Sequence, residues 1–147
     1  MTTPGFPEVS LYDHVTCTDV DLDWLNSRVA EALPLCAESV GTEQPLLREL
    51  SEIEISLVSD EVIAEVHGQF MDDPTATDVI TFHHGEILAS VDTAQREGPG
   101  HSLSTGDEVL LYIIHGLLHL NGHIDSAEPE RATMHRVQDA ILREVTR

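Results

Sequence analysis

The chain has 147 residues, enough for one domain spanning 1–147, and its 41% hydrophobic content argues against a disordered protein. Only 4% of the residues are aromatic, so aliphatic side chains must build the core. The formal charge is −20, with 27 acidic residues against seven basic ones, all arginine, which disfavours broad electrostatic binding of nucleic acid or anionic membranes.

The first third of the chain predicts a strand, a long helix and a short helix. A short strand is expected around Val9 to Leu11. Asp21 or Asp23 can cap a helix with apolar residues at helical spacing, and we expect this helix to end near Pro34. After a loop, residues 44–50 suggest another short helix.

The middle of the chain predicts a strand, a helix and a hairpin. Apolar and polar residues alternate over 52–57, which is typical of a half-exposed strand. Ser59 then caps a helix expected to run to about Phe70, with acids in its first turn. Thr77 to Phe82 and Ile87 to Val91 are two further strands, and the turn residues between them indicate a hairpin.

The last third predicts two helices separated by a glycine-terminated turn. Thr105 and Glu108 form a capping box that opens an apolar helix, and Gly122 ends it. A final helix begins near Glu128 and Pro129. Its apolar side consists of Met134, Val137, Ile141 and Val145. The predicted class is α+β: a small mixed sheet of three to four strands packed with four to five helices, with a metal site at the end of a central helix.

The predicted metal site depends on the spacing of three residues. His115 and His119 lie four apart on one helix face, so both imidazoles can reach one ion. Gly122 lets the chain turn back after the helix, and Asp125 follows three residues later, as in the long zinc motif. Three protein ligands leave one position open, which is the arrangement of a catalytic zinc. His123 is the alternative third ligand, but Asp125 has the better spacing.

One class of metalloenzyme is disfavoured by the residue after the first histidine. Zinc proteases carry a glutamate there, which acts as general base. This chain has Gly116 at that position. A peptidase mechanism would therefore lack its proton acceptor.

Several segments resemble one family. HGLLHLNG, beginning at His115, resembles the H-G-x-L-H-L-x-G signature of the YbeY-type rRNA maturation endoribonucleases, and TDVITF, GEILAS and ATMHRVQDAIL resemble other segments of that family. The resemblance runs in order from about Val66 to Leu142. It implies an α+β fold, one zinc ion, His115 and His119 as ligands and catalytic residues, and a cytoplasmic endoribonuclease. The implied substrate is single-stranded RNA or rRNA, in 16S 3′-end processing and ribosome quality control.

The chain departs from the family pattern at three positions. The family's third ligand is a histidine where this chain has Asp125, which changes the charge of the site by one unit. The family's arginine before T-D-V corresponds to Met71, and a nearby asparagine corresponds to His67. Stabilisation of phosphoryl charge must then come from elsewhere. Arg96 and Arg131 are the candidates, although both also suit a solvated surface.

Four further polar residues have open interpretations. His83 and His84 either reach the cleft or simply form a polar turn after their strand. Thr77 and Asp78 are expected to fix the geometry of their loop by hydrogen bonds. Asp78 as a general base is the less favoured alternative.

Two other functions fit the same residues. The chain could be a factor that binds the small ribosomal subunit or a ribosomal protein, with a structural metal and little catalysis, or a metallohydrolase with a small or cationic substrate. Cys17 and Cys36 are the only cysteines, and their pairing stays open. No signal-peptide pattern or membrane-length apolar run occurs, so we expect a cytoplasmic protein without a membrane partner.

Overall fold

The computed structural model describes residues 5–16 and 19–147. Its strands are β1 (Glu8–Asp13), β2 (Glu52–Val58), β3 (Val79–Phe82) and β4 (Glu86–Ser90). Its helices are α1 (Leu22–Glu38), α2 (Asp60–Met71), α3 (Val91–Glu97), α4 (Thr105–Leu120) and α5 (Glu130–Thr146), with short 3-10 turns at Leu47–Glu49 and Pro99–His101. The predicted α+β class is confirmed.

The four strands form one mixed sheet in the order β1-β2-β4-β3. The first three of these run parallel, and β3 runs antiparallel to β4 as the predicted hairpin. Gly85 makes the hairpin turn with a φ of 109°, a conformation that favours glycine. The hairpin thus places β3 at an edge of the sheet.

Helix α4 is the centre of the main core. Its sequence is apolar on nearly every side, which is the pattern of a helix packed on all faces. It contacts α1, α5, α3 and the β3–β4 hairpin. A second, smaller core cluster lies beneath α2 and consists of Val58, Ile63, Ile80 and Leu88, with Val66 and Phe82 packed against it.

Helix α1 continues four residues past Pro34, so the predicted end of this helix is wrong. A proline inside a helix removes one backbone hydrogen bond. Here Leu33, Cys36 and Ala37 are buried against the core, and that burial keeps the last turn in place. Cys36 is a free thiol whose pKa is raised by burial, and Cys17 lies outside the described residues.

The predicted start of α4 is also wrong by one residue. Ser104, not Thr105, is the N-cap, because its Oγ accepts the backbone N–H of Asp107 at 3.1 Å. Glu108 is therefore one position too far along to close a capping box. Its carboxylate is instead buried and hydrogen-bonded to His101.

Three other boundaries differ from expectation, and the first is that of β3, which begins at Val79 instead of Thr77. Strand β4 ends at Ser90, and the predicted strand residue Val91 begins the unpredicted helix α3. Ser90 caps that helix through a bond from the backbone N–H of Thr93 to its Oγ. Helix α5 begins at Glu130, with Pro129 preceding it as the cap residue rather than inside the first turn. Among residues 5–16 and 19–147, no helix has the length and apolar character that crossing a membrane requires.

Candidate metal centre

The turn after α4 brings the three candidate ligands together. His115 and His119 lie one helical turn apart, and Gly122 follows the helix with a φ of 94°. A Cβ at Gly122 would lie 2.3 Å from the carbonyl oxygen of Glu43, so only glycine fits. The chain then reverses and carries Asp125 back to the two imidazoles.

The side chains of the three residues converge. One ligand atom from each lies within 4.8 Å of the others. Asp125 Oδ2 is 3.2 Å from His115 Nε2, and Asp125 Oδ1 is 3.8 Å from His119 Nε2. The two Nε2 atoms are 3.0 Å apart, with the rings nearly perpendicular at 89°. All three residues are partly buried, so the cluster remains open to solvent on one side.

Hydrogen bonds at the far side of each ring orient both histidines. His119 Nδ1 lies 2.9 Å from the backbone carbonyl of His123, which can only accept, so Nδ1 carries the proton. His115 Nδ1 lies 2.7 Å from Oε1 of Gln138 and donates to it in the same way. In the neutral rings both Nε2 atoms are then acceptors. Two lone pairs and a carboxylate face one another, and a cation satisfies all three.

The environment favours the ligating form of His119. Burial lowers the pKa of His119, and the nearby His115 lowers it further. The hydrogen bond to the His123 carbonyl and the charge of Asp125 raise this pKa, but they do not outweigh the lowering. A neutral imidazole is the form that binds a metal. This set of nitrogen and oxygen donors suits zinc and similar divalent ions.

The His123 ring faces away from this cluster. Its Nε2 lies 3.1 Å from the carbonyl oxygen of Ser39 and 3.0 Å from the Ser39 hydroxyl, at the end of α1. Burial lowers the pKa of His123 despite that hydrogen bond. His123 thus contributes its backbone carbonyl to His119, while its side chain ties the turn to α1.

Gly116 packs against the sheet rather than the cleft. A Cβ at Gly116 would lie 2.9 Å from both Cδ1 of Ile87 and Oγ1 of Thr81. A glutamate, the general base of zinc proteases, would have to push both of these side chains aside. The sequence argument against a peptidase therefore has a steric basis.

Two cavities meet at the candidate centre. A cleft of about 940 Å³ extends from His115 and Asp125 past Tyr112 towards Arg96 and Arg143. A smaller cavity of about 410 Å³ is bounded by all three candidate ligands. Its remaining walls come from the α2 end and from β3: His67, Met71, Thr77, Asp78, Val79, Ile80, Thr81 and His83.

The two arginine candidates are held differently. Arg96 lines the larger cleft, but its guanidinium donates to Asp60 at 2.6 Å. Arg131 Nε donates to the backbone carbonyl of Asp125 at 3.1 Å and lies 3.6 Å from Glu128. Arg131 is therefore attached to the ligand loop itself.

The other singled-out residues fall into two groups. Met71, His67 and His83 line the smaller cavity, whereas His84 is exposed and lies 3.1 Å from Glu86. At the start of β3, the Asp78 carboxylate accepts a hydrogen bond from the backbone N–H of Val79 at 2.8 Å. The Thr77 hydroxyl donates to the same carboxylate at 3.4 Å. These bonds agree with a role in loop geometry.

Sequence reasoning assigned no role at the site to Gln138 or to the pair His101 and Glu108, of which Glu108 was expected only as a capping residue. Gln138 lies one turn after the buried Met134, and a polar residue on the apolar side of α5 is the signal that could have revealed it. Glu108 is fully buried and binds Nδ1 of His101 at 2.9 Å, which raises the pKa of that imidazole. Burial and the hydrogen bond to Glu108 raise the pKa of Tyr112.

Together, the fold and the cluster define an α+β protein whose cleft carries a set of residues able to hold a metal ion. The chain belongs to the YbeY family: the family described as "Endoribonuclease YbeY" matches residues 13–146. Relatives of the same name include one from Rhodopirellula baltica, 33% identical over 132 residues, which covers 83% of this chain and 65% of the relative. Another, from Thermus thermophilus, is 31% identical and covers 78% of this chain and 87% of the relative.

One solved structure resembles the fold. A Thermotoga maritima protein determined in solution superposes with a TM-score of 0.63 at 22% identity, covering 93% of this chain and 88% of that protein. At this identity the match bears on the fold alone. The chain thus shares its family with named endoribonucleases and its architecture with a solved protein.

Proposed function

We propose that this chain is a zinc-dependent endoribonuclease that cuts single-stranded RNA in the cytoplasm, within rRNA maturation (16S 3′-end processing) and ribosome quality control. The proposal treats residues 1–147 as one catalytic domain. Family membership supports it, and the single observation that carries it is the convergence of His115, His119 and Asp125 beside an open cleft.

The three candidate ligands would hold one zinc ion. When bound, such an ion activates water and stabilises negative charge on a phosphodiester. The protein's own contribution is orientation. Gln138 and the His123 carbonyl fix the two imidazoles, so that both Nε2 atoms point at the same space before any ligand arrives.

The cleft wall supplies the remaining interactions with a phosphodiester. Because Met71 stands where the family has an arginine, another cation must stabilise the charge that develops during cleavage. Arg96 lines the larger cleft but is paired with Asp60, whereas Arg131 is bonded to the ligand loop and lines neither cavity. Both arginines stay candidates for this role.

Cleavage of RNA by defined variants tests the proposal. Protein stripped with a chelator should be inactive on a single-stranded oligoribonucleotide and regain cleavage when zinc is added. His115→Ala and His119→Ala should each abolish it, whereas His14→Ala, an exposed histidine beside Tyr12, should cleave like the wild type. Equal cleavage by His115→Ala would identify a contaminating nuclease and refute the assignment.

Two alternatives are favoured by the acidity of the chain. A charge of −20 and Met71 in place of arginine suit a factor that binds the small ribosomal subunit or a ribosomal protein with little catalysis. That factor would co-sediment with small subunits and show no turnover. A metallohydrolase with a cationic substrate would instead be inactive on RNA and fail to co-sediment.

A further inference from the structure

Two of the chain's three phenylalanines form an aromatic pair on the side of the sheet that α2 covers. Phe70, near the end of α2, is 67% exposed and is the most exposed large apolar side chain of the described residues. Its ring meets that of Phe82 edge to face, with centroids 5.4 Å apart. Phe82 in turn stacks on His84 at 5.6 Å with an interplanar angle of 21°. We call Phe70, Phe82 and His84 the aromatic strip.

The strip is held in place by the structure beneath it. Phe82 packs on the smaller core cluster and pairs with Glu86 across the hairpin. His84 Nε2 lies 3.1 Å from a carboxylate oxygen of the same Glu86. Just after Phe70, Asp72 ends α2 in the left-handed conformation and donates its N–H to the His67 carbonyl. The rings are thus presented on anchored backbone.

The chain neighbours of the strip reach the candidate centre, although none of its three rings lines either cavity. Met71 and His83, the chain neighbours of Phe70 and Phe82, line the smaller cavity together with all three candidate ligands. A flexible polymer with one bond at the centre can therefore extend past Met71 and His83 to the strip. The ligand of the strip should therefore belong to the same polymer whose bond lies at the candidate metal centre.

Charge decides which part of a polymer this surface can bind. No lysine or arginine occurs between Arg48 and Arg96, a span that contains α2 and the whole hairpin. Lysine or arginine contacts to phosphate therefore cannot come from this segment. Stacking of a nucleobase on an aromatic ring needs no positive charge and tolerates any base.

We propose that the aromatic strip is a stacking site for an unpaired nucleobase of single-stranded RNA next to the candidate metal centre, with the exposed Phe70 ring as the main contact. The inference rests on the proposed RNA substrate. Stacking gives so acidic a chain a contact with RNA that needs no positive charge. Double-stranded RNA does not bind this way, because its bases are already stacked.

Phe70→Ala tests the site by binding rather than by catalysis. The probes are a single-stranded oligoadenylate and a matched oligomer of the same length with abasic positions, titrated in a chelating buffer by fluorescence anisotropy. Phe70→Ala should bind the oligoadenylate about 5- to 150-fold more weakly than the wild type, by the usual contribution of one stacked base. It should bind the abasic oligomer as the wild type does. The slope of affinity against salt should not change, since no phosphate contact is lost.

Two companion variants exclude a general effect. Phe70→Trp preserves a stacking surface and should retain the wild-type affinity. Val62→Ala removes another exposed apolar side chain of α2, 43% exposed, and should also bind like the wild type. Because Phe70 is exposed, its variants should keep the thermal midpoint of the wild type.

The outcomes separate this inference from the proposed function. Equal oligoadenylate binding by Phe70→Ala and the wild type overturns the stacking site, and so does an equal loss on the abasic oligomer. A smaller oligomeric state of Phe70→Ala with unchanged RNA binding would assign the strip to contacts between copies instead. If Phe70→Ala loses base-dependent affinity but the zinc-loaded wild type cuts nothing, the stacking site stands and the proposed nuclease fails.

Discussion

Replacing Gln138 with leucine should weaken zinc binding without touching a candidate ligand. Gln138 is largely buried and accepts the Nδ1 proton of His115 at 2.7 Å. Leucine is close in size but offers no acceptor, so His115 is free to take the other tautomer or rotate. Loss of such a partner typically lowers metal affinity about 10- to 100-fold, equivalent to about 1.4–2.7 kcal/mol.

Competition with a chromophoric zinc chelator at neutral pH measures this affinity directly, independently of any cleavage. Gln138→Glu serves as the matched control, because a carboxylate retains the acceptor and should bind zinc at least as tightly as the wild type. A shifted unfolding midpoint would be recorded separately by urea titration. Zinc affinity within twofold of wild type in folded Gln138→Leu would refute the claim that this bond orients His115.

Three further substitutions have defined outcomes. Gly122→Ala should lower the free energy of unfolding by at least about 2 kcal/mol in urea, because of its positive φ and the Glu43 carbonyl 2.3 Å from the new Cβ; an unchanged midpoint would contradict this. Burial alone would raise the pKa of Asp60, but hydrogen bonds led by that from Arg96 hold it below the ordinary value. Asp60→Asn should therefore lower the free energy of unfolding by about 1–3 kcal/mol above pH 5, and this loss should vanish as the pH falls well below about 3.9. A loss of stability that does not change with pH would contradict this mechanism. Met71→Arg should raise kcat/KM for single-stranded RNA about tenfold or more, since position 71 lines the smaller cavity, and an unchanged rate would argue against a missing phosphate contact there.

The features that sequence reasoning found depend on neighbours in the chain. Alternation over 52–57 predicted β2, and Ser59 capped α2 as expected, because strand periodicity and caps act within a few residues. The turn residues before Glu86 predicted the hairpin for the same reason. The spacing from His115 to Asp125 likewise encodes one helical turn and one glycine turn, so the proximity of these side chains could be anticipated.

The features that sequence reasoning missed depend on contacts between residues far apart in the chain. Helix α1 continues past Pro34 because its last turn is buried, and no pattern in the neighbouring sequence predicts that burial. Helix α3 is short and polar, and its cap residue Ser90 also donates to Asp60, 30 residues away. Gln138 reaches His115 across 23 residues of sequence. Strand order and such bridging bonds follow from packing, which a linear pattern does not contain.

The close contact at Gly116 restricts how this scaffold can be redesigned. Any side chain at that position must shift the side chains of Ile87 and Thr81, which lie on the hairpin packed against the central helix. The single exchange that copies a zinc protease would therefore have to repack this contact. An engineer seeking a new proton acceptor would have to place it on the opposite wall, near Asp78, where the cavity is open and the helix packing is left intact.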